Sequence, residues 1–189
     1  MSKIFIGVDL QKDFIDGGAL EAKGSYEMIG KLADFLDKNG NEYDLIALTA
    51  DWHNITHCSF KENGGMFDEH CIMYSSGASI DDRILHSVLK YGDKFQVYKK
   101  GIVSSKEEYS IFQNGKDGLR LIHMINLIKP SEIHICGLVN EYCVLETVKD
   151  LEKLGFSNLI RILKDYVCDL GNPNVLFDYA KQHNIIVLN

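Results

Sequence analysis

Short apolar runs of strand length alternate along this chain with longer amphipathic stretches, and no other feature of the sequence limits the fold so strongly. The runs are Lys3 to Asp9, Asp44 to Thr49, Phe95 to Tyr98, Glu132 to Cys136, Leu159 to Leu163 and Ile185 to Leu188. Most are continuously apolar rather than alternating, which is the pattern of strands buried on both faces of a parallel sheet. Helical periodicity marks Tyr26 to Lys38, Leu119 to Ile128, Glu141 to Leu154 and Val175 to His183, with Ile29, Leu32, Ala33 and Leu36 forming the apolar face of the first. Asn39-Gly40, Pro130 and Gly155 punctuate the ends. This alternation predicts an open, doubly wound, mainly parallel six-stranded α/β sheet. With 189 residues, two prolines and no linker-like tract or repeat, the whole chain, residues 1–189, reads as one domain. Only the polar stretch from Asn54 to His86 breaks the rhythm, and a connection that long suggests a functional loop.

Composition narrows the partners. A net charge of -7 without a concentrated basic patch argues against nucleic acid and anionic membrane surfaces. The run Ile4 to Val8 is one strand long and ends at Asp9, so it reads as neither a signal-peptide core nor a membrane span. Five dispersed cysteines, an odd number, do not form the dense even pattern of a secreted disulfide scaffold, and reduced thiols in a cytoplasm are the simpler expectation.

In open α/β sheets ligands bind beyond the carboxyl ends of the strands. The residues there are Asp9, then Asp51-Trp52-His53, then Lys99-Lys100-Gly101, then Gly137 leading to Cys143. An acid, an amine and a thiol meeting in one crevice compose an activated nucleophile with a general acid/base. A helix start and a neighbouring lysine both favour the thiolate of Cys143. Cys58, Cys71, Cys136 and Cys168 read as small buried hydrophobes. Asp51 and His53, two residues apart in extended chain, present their side chains to the same side, and His57 and His70 follow in the irregular stretch, so a three-ligand cation site is a second expectation. His86, His123, His134 and His183 read as ordinary residues.

These residues also carry a family resemblance along almost the whole chain. Asp9-Leu10-Gln11-Lys12-Asp13-Phe14 with Gly17-Gly18-Ala19-Leu20, Asp51-Trp52-His53 with His57-Cys58-Ser59-Phe60, His70-Cys71 with Gly77-Ala78, Lys100-Gly101, and Gly137 to Val144 stand in the order of five motifs. The sequence thereby resembles the nicotinamidase/pyrazinamidase branch of the isochorismatase-like cysteine hydrolases. The resemblance implies a three-layer α/β/α fold and a catalytic triad of Asp9, Lys100 and Cys143. It implies a divalent metal on Asp51, His53 and His70, usually zinc, with iron and manganese as the other candidates, where the isochorismatases proper lack this motif. It further implies a ring pocket flanked by Phe14, Phe67 and Tyr142, an oxyanion hole from the backbone N–H groups of Val139 and Cys143, and a cis peptide at Leu138-Val139. His57 is expected beside the metal ligands as a hydrogen-bonded neighbour. Two positions depart from the family pattern: Phe67-Asp68-Glu69 precedes His70 where a proline is usual, and Val139 stands where a small residue is usual.

The activity implied is hydrolysis of nicotinamide to nicotinate and ammonia in NAD salvage, with pyrazinamide as a further substrate. A small-molecule amide is then the expected partner, and a homo-oligomer is left open. The competing readings are another amidohydrolase of the superfamily, acting on a carbamoyl or ureido compound, and a non-enzymatic metal-binding protein whose Cys143 responds to redox state.

Overall fold

The computed structural model describes residues 2–189. Its strands are β1 (Lys3–Val8), β2 (Leu45–Asp51), β3 (Phe95–Lys100), β4 (Glu132–Gly137), β5 (Ile160–Val167) and β6 (Ile186–Leu188). They form one six-stranded sheet in the order β3-β2-β1-β4-β5-β6, and every neighbouring pair is parallel. The helices are α1 (Ser25–Asn39), α2 (Asp82–Val88), α3 (Asp117–Ile128), α4 (Leu145–Lys153) and α5 (Val175–Gln182). Among the described residues no helix is long and apolar enough to cross a membrane.

The continuous apolar strands follow from this layering, because each strand must satisfy a core on both of its faces. On one face Phe5, Ile46, Leu48 and Cys136 pack against Ile29, Leu32 and Leu36 of α1 and Ile84 and Val88 of α2. On the other, Ile4, Ile6, Val8, Ile133 and Ile135 pack against α3, α4 and α5 through Leu121, Val148, Leu151 and Leu176.

The six strands and four of the helices lie where the alternation predicts them, with ends moved by a few residues. Two local features differ. The segment predicted as one helix from Glu141 is divided: Asn140–Val144 forms a wide π-helical turn, and the regular helix α4 begins at Leu145. The polar stretch after Asn54 ends in α2, a seven-residue helix that periodicity does not reveal; Asp81 caps it by accepting from the N–H of Arg83 at 2.9 Å. The rest of that stretch is tied to the body of the protein by single bridges, Gln11 with Ile80 and His53 with Ile72.

Strand order reverses between β1 and β4, so their carboxyl ends diverge around a crevice. Gly137 closes β4 at φ 129°, and a Cβ there would lie 2.1 Å from the carbonyl oxygen of Val8. Only glycine lets the two strand ends approach so closely. Leu138 N–H then donates to Val8 O at 2.9 Å, and the chain turns into the π-helical segment that carries Cys143.

Leu32 is fully buried in the α1 layer. Leu32→Ala is expected to lower the unfolding free energy by about 2–5 kcal/mol, as measured by urea denaturation.

Candidate active site

The carboxyl ends of four strands deliver reactive side chains to the crevice, and they meet around one buried ammonium. Lys100, at the end of β3, is fully buried. Its Nζ lies 2.8 Å from Asp9 Oδ2 and 2.5 Å from Asp51 Oδ1, and it donates to Cys143 Sγ at 3.5 Å. Asp9 follows β1 and Asp51 ends β2, so three adjacent strands each contribute a charge at the same level of the sheet. Asp9 takes a left-handed backbone conformation, φ 50°, which aspartate tolerates better than most residues. Its Oδ1 accepts from Thr49 Oγ1 at 2.7 Å.

The electrostatics are uneven in a useful way. Burial and the charge of Asp51 push the Asp9 carboxyl up against the pull of Lys100. Asp51 is buried too, but Lys100 and His53 hold its carboxyl far below the usual range. Lys100 stays cationic, since the two carboxylates outweigh its burial. The thiol of Cys143 differs from the sequence expectation. Burial pushes it well up, with Lys100 pulling it down and Asp9 and Asp51 adding to the rise. The resting side chain is therefore a thiol, 5% exposed, close to a carboxylate disposed to take its proton.

A second group adjoins the first. One ligand atom each from Asp51, His53 and His70 lie within 4.8 Å of one another, and all three residues are buried. Backbone carbonyls accept from both rings through Nδ1: His53 donates to Gly101 O at 2.9 Å and His70 to Asp68 O at 2.8 Å. In its neutral form each imidazole is thereby the tautomer with its lone pair on Nε2, the arrangement that metal-binding histidines need. Asp51 Oδ2 sits 3.6 Å from His53 Nε2. Without a metal, Asp51 outweighs burial and pushes the His53 ring up, whereas burial holds the His70 ring down; two imidazoles with Nδ1 engaged and a carboxylate held ionised by its neighbours make a donor set that fits a divalent cation such as zinc.

His57 is also fully buried, but its ring nitrogens are engaged elsewhere. Nδ1 accepts from Ser59 Oγ at 2.7 Å, and Nε2 donates to Lys106 O at 3.1 Å. The ring lies against that of His53, with centroids 4.1 Å apart. Burial and the neighbouring His53 hold the His57 ring down to about 4.

Both groups open into a narrow, half-open pocket. Phe14, Phe67, Val139, Tyr142, Cys143, Asp51 and His70 line it, so the residues singled out from the sequence share one cavity or pack directly behind its wall. Phe67 and Tyr142 meet edge to face at 5.4 Å, and Phe14 lies 5.5 Å from His70. The Leu138-Val139 peptide is cis. Among the described residues, the N–H of Val139 has no protein acceptor.

Sequence reasoning passed over Leu20, Glu107, Tyr109 and Leu170, which complete the lining. Leu170 follows β5 and the strand-end rule reaches it; Glu107 and Tyr109 sit in a polar loop with no pattern to mark them. It also assigned no role to Gln11, although Gln11 stands in the opening motif. The Gln11 side chain is fully buried, donates to Asp51 O and Ala78 O at 2.8 Å each, and accepts from Asp51 N–H at 2.7 Å. Cys58 and Cys168 are half-buried rather than buried, whereas Cys71 and Cys136 are enclosed; all five cysteines are free.

Fold and site together define an α/β protein with a thiol–ammonium–carboxylate centre and an adjoining two-histidine, one-carboxylate group at its switch-point crevice. The isochorismatase domain matches residues 3–175, and the chain belongs to that family. It is 25% identical to the nicotinamidase of Saccharomyces cerevisiae, covering 99% of both chains. It superposes on the pyrazinamidase of Pyrococcus horikoshii, solved in complex with zinc, with a TM-score of 0.85 and 29% identity, covering 100% of this chain and 99% of that one. Against L. infantum PnC1, solved in complex with nicotinate, the TM-score is 0.86 at 25% identity, over 100% and 92% of the two chains.

The buried neutral His57 links stability to pH. Its folded value, about 4, lies below the ordinary value of 6.5, so the unfolded chain takes up a proton first as pH falls. The contribution is complete above about 6.5 and is lost progressively toward 4. Urea titrations of metal-free protein are expected to show a loss of roughly 2 kcal/mol from this residue between pH 7 and pH 4, absent in His57→Gln.

Proposed function

We propose that this protein is a nicotinamidase, a cysteine amidohydrolase that converts nicotinamide to nicotinate and ammonia and accepts pyrazinamide, a second aromatic carboxamide. The observation that carries the reading is the meeting of Cys143, Lys100 and Asp9 with Asp51, His53 and His70 at one aromatic-lined pocket. The nicotinamidase and pyrazinamidase names of its relatives agree with that chemistry.

The flat ring lies among Phe14, Phe67 and Tyr142, whose faces and edges favour an aromatic guest. Asp51, His53 and His70 would hold a divalent metal, zinc by likeness to the P. horikoshii enzyme, and when bound it supplies a Lewis acid that orients a ring nitrogen. The carboxamide carbon then faces Cys143. Asp9, with its carboxyl pushed up by burial, accepts the Cys143 proton, while Lys100 stabilises the sulfur's negative charge as the S–C bond forms. The N–H groups of Val139 and Cys143 donate to the carbonyl oxygen as it becomes an oxyanion. Asp9 returns the proton to the departing nitrogen, the C–N bond breaks, and ammonia leaves an acyl thioester on Cys143. Water attacks the thioester carbon and gives a proton to Asp9. As the C–S bond breaks, Asp9 returns that proton to the sulfur, restoring the thiol and its own carboxylate, and nicotinate departs with its carboxyl proton lost to solvent.

Ammonia release from nicotinamide by the zinc-loaded protein is the direct test. A protein that turned over a carbamoyl or ureido compound and left nicotinamide untouched would favour the other amidohydrolase reading; one that turned over no amide would favour the redox-thiol reading. Cys143→Ala is expected to reduce turnover by a factor of at least about 10⁴, since it removes the nucleophile. Removal of metal by a chelator is expected to suppress turnover, and added zinc to restore it; turnover indifferent to both would count against the metal assignment.

A further inference from the structure

The metal-type group is held in shape by a residue that touches none of its members. Glu108 lies in the loop after β3, 2% exposed, and its carboxylate collects three donors. Oε2 accepts from Gly101 N–H and Asn114 Nδ2, each at 3.0 Å, and Oε1 accepts from Lys106 Nζ at 2.8 Å. Gly101 is the residue on which the geometry turns. Its N–H is held by Glu108, its carbonyl accepts from His53 Nδ1 at 2.9 Å, and it immediately follows Lys100. It takes φ 67°, and a Cβ there would sit 2.2 Å from His53 Cε1, so the backbone lies flat against the imidazole edge. A peptide placed so closely has no slack: a rotation of Gly101 moves the carbonyl that fixes both the tautomer and the orientation of His53. The same loop carries Lys106, whose carbonyl accepts from His57 Nε2. Glu108 therefore closes the loop to which both imidazoles, of His53 and His57, are hydrogen-bonded.

We propose that Glu108 is a positioning residue for the metal site: its buried carboxylate locks Gly101, and Gly101 aims His53 Nε2. The inference rests on the reading of Asp51, His53 and His70 as metal ligands. A carboxylate so deep and so fully satisfied is poor value as a generic surface anchor, since burying a charge is unfavourable without specific partners. Here its partners lead to one ligand.

The test is zinc affinity, measured by competition with a chromophoric chelator, together with the ligand-field absorption of the cobalt-substituted protein. Glu108→Ala is expected to raise the zinc dissociation constant by about 10–100-fold, the usual effect of losing a group that orients a metal ligand, and to shift the cobalt bands. Glu108→Gln retains a carbonyl oxygen for the Gly101 N–H and is expected to recover most of the affinity. If Glu108→Ala does not fold, Glu108→Asp keeps the charge but draws the carboxylate back by one methylene; weaker zinc binding and shifted cobalt bands are again expected. Wild-type affinity and unshifted bands in the folded Ala or Asp variant would overturn the proposal, as would a Gln variant that recovers nothing. Wild-type protein that binds no zinc would instead sink the underlying metal reading, so the two failures are distinguishable.

Discussion

Everything in the crevice is arranged around the buried ammonium of Lys100. Taking a lysine out of water is tolerable only where opposite charge is close, and here Asp51 supplies it from the end of the neighbouring strand β2 and Asp9 from the end of β1, one strand further in. One cation thus joins the carboxyl ends of β1, β2 and β3, and it reaches Cys143 from beyond β4. Two carboxylates against one ammonium leave negative charge in excess. Burial, with the Asp51 charge adding to it, raises the Asp9 carboxyl, while Lys100 and His53 keep Asp51 ionised. A second carboxylate oxygen of Asp51 lies 3.6 Å from His53 Nε2, with His70 close by, a suitable setting for a divalent cation. The proposed acid/base and the proposed metal site are two consequences of the same charge arithmetic.

The thiol illustrates how tertiary burial alters a local expectation. A helix start and a nearby lysine favour a thiolate, but Cys143 lies inside a wide turn that buries it beside two carboxylates, and the resting state is protonated. For the proposed amidase this is compatible with proton transfer to Asp9 as the nucleophile attacks, rather than with a standing thiolate open to oxidants.

Side chains that contact no reacting atom shape the site as much as those that do. Gln11 grips both backbone groups of Asp51. Asp13 accepts from Cys71 N–H at 2.7 Å, fixing the residue next to His70. Glu108 holds Gly101 against His53. Asp51, the residue after His70 and the peptide that accepts from His53 are thereby each fastened by a polar side chain, which gives precision to a site made largely of loops.

The sequence by itself determined the layers and the chemistry available. Continuous apolar strands between amphipathic helices require a sheet covered on both faces, and the residues at the strand ends name Asp9, Asp51, Lys100 and Cys143 as neighbours, because the ends of parallel strands share one edge of the sheet. It did not reveal α2 or the π-helical turn, whose short lengths leave no periodicity to read. It did not mark Tyr109, Glu107 or Glu108, which lie in a loop whose course is set by contacts distant in sequence. The tertiary structure alone decided which histidine nitrogens remain free, that both nitrogens of His57 are spent on its neighbours, and that Cys143 rests as a thiol. Tautomers, desolvation and the direction of a hydrogen bond depend on atoms brought together by folding, and no spacing along the chain encodes them.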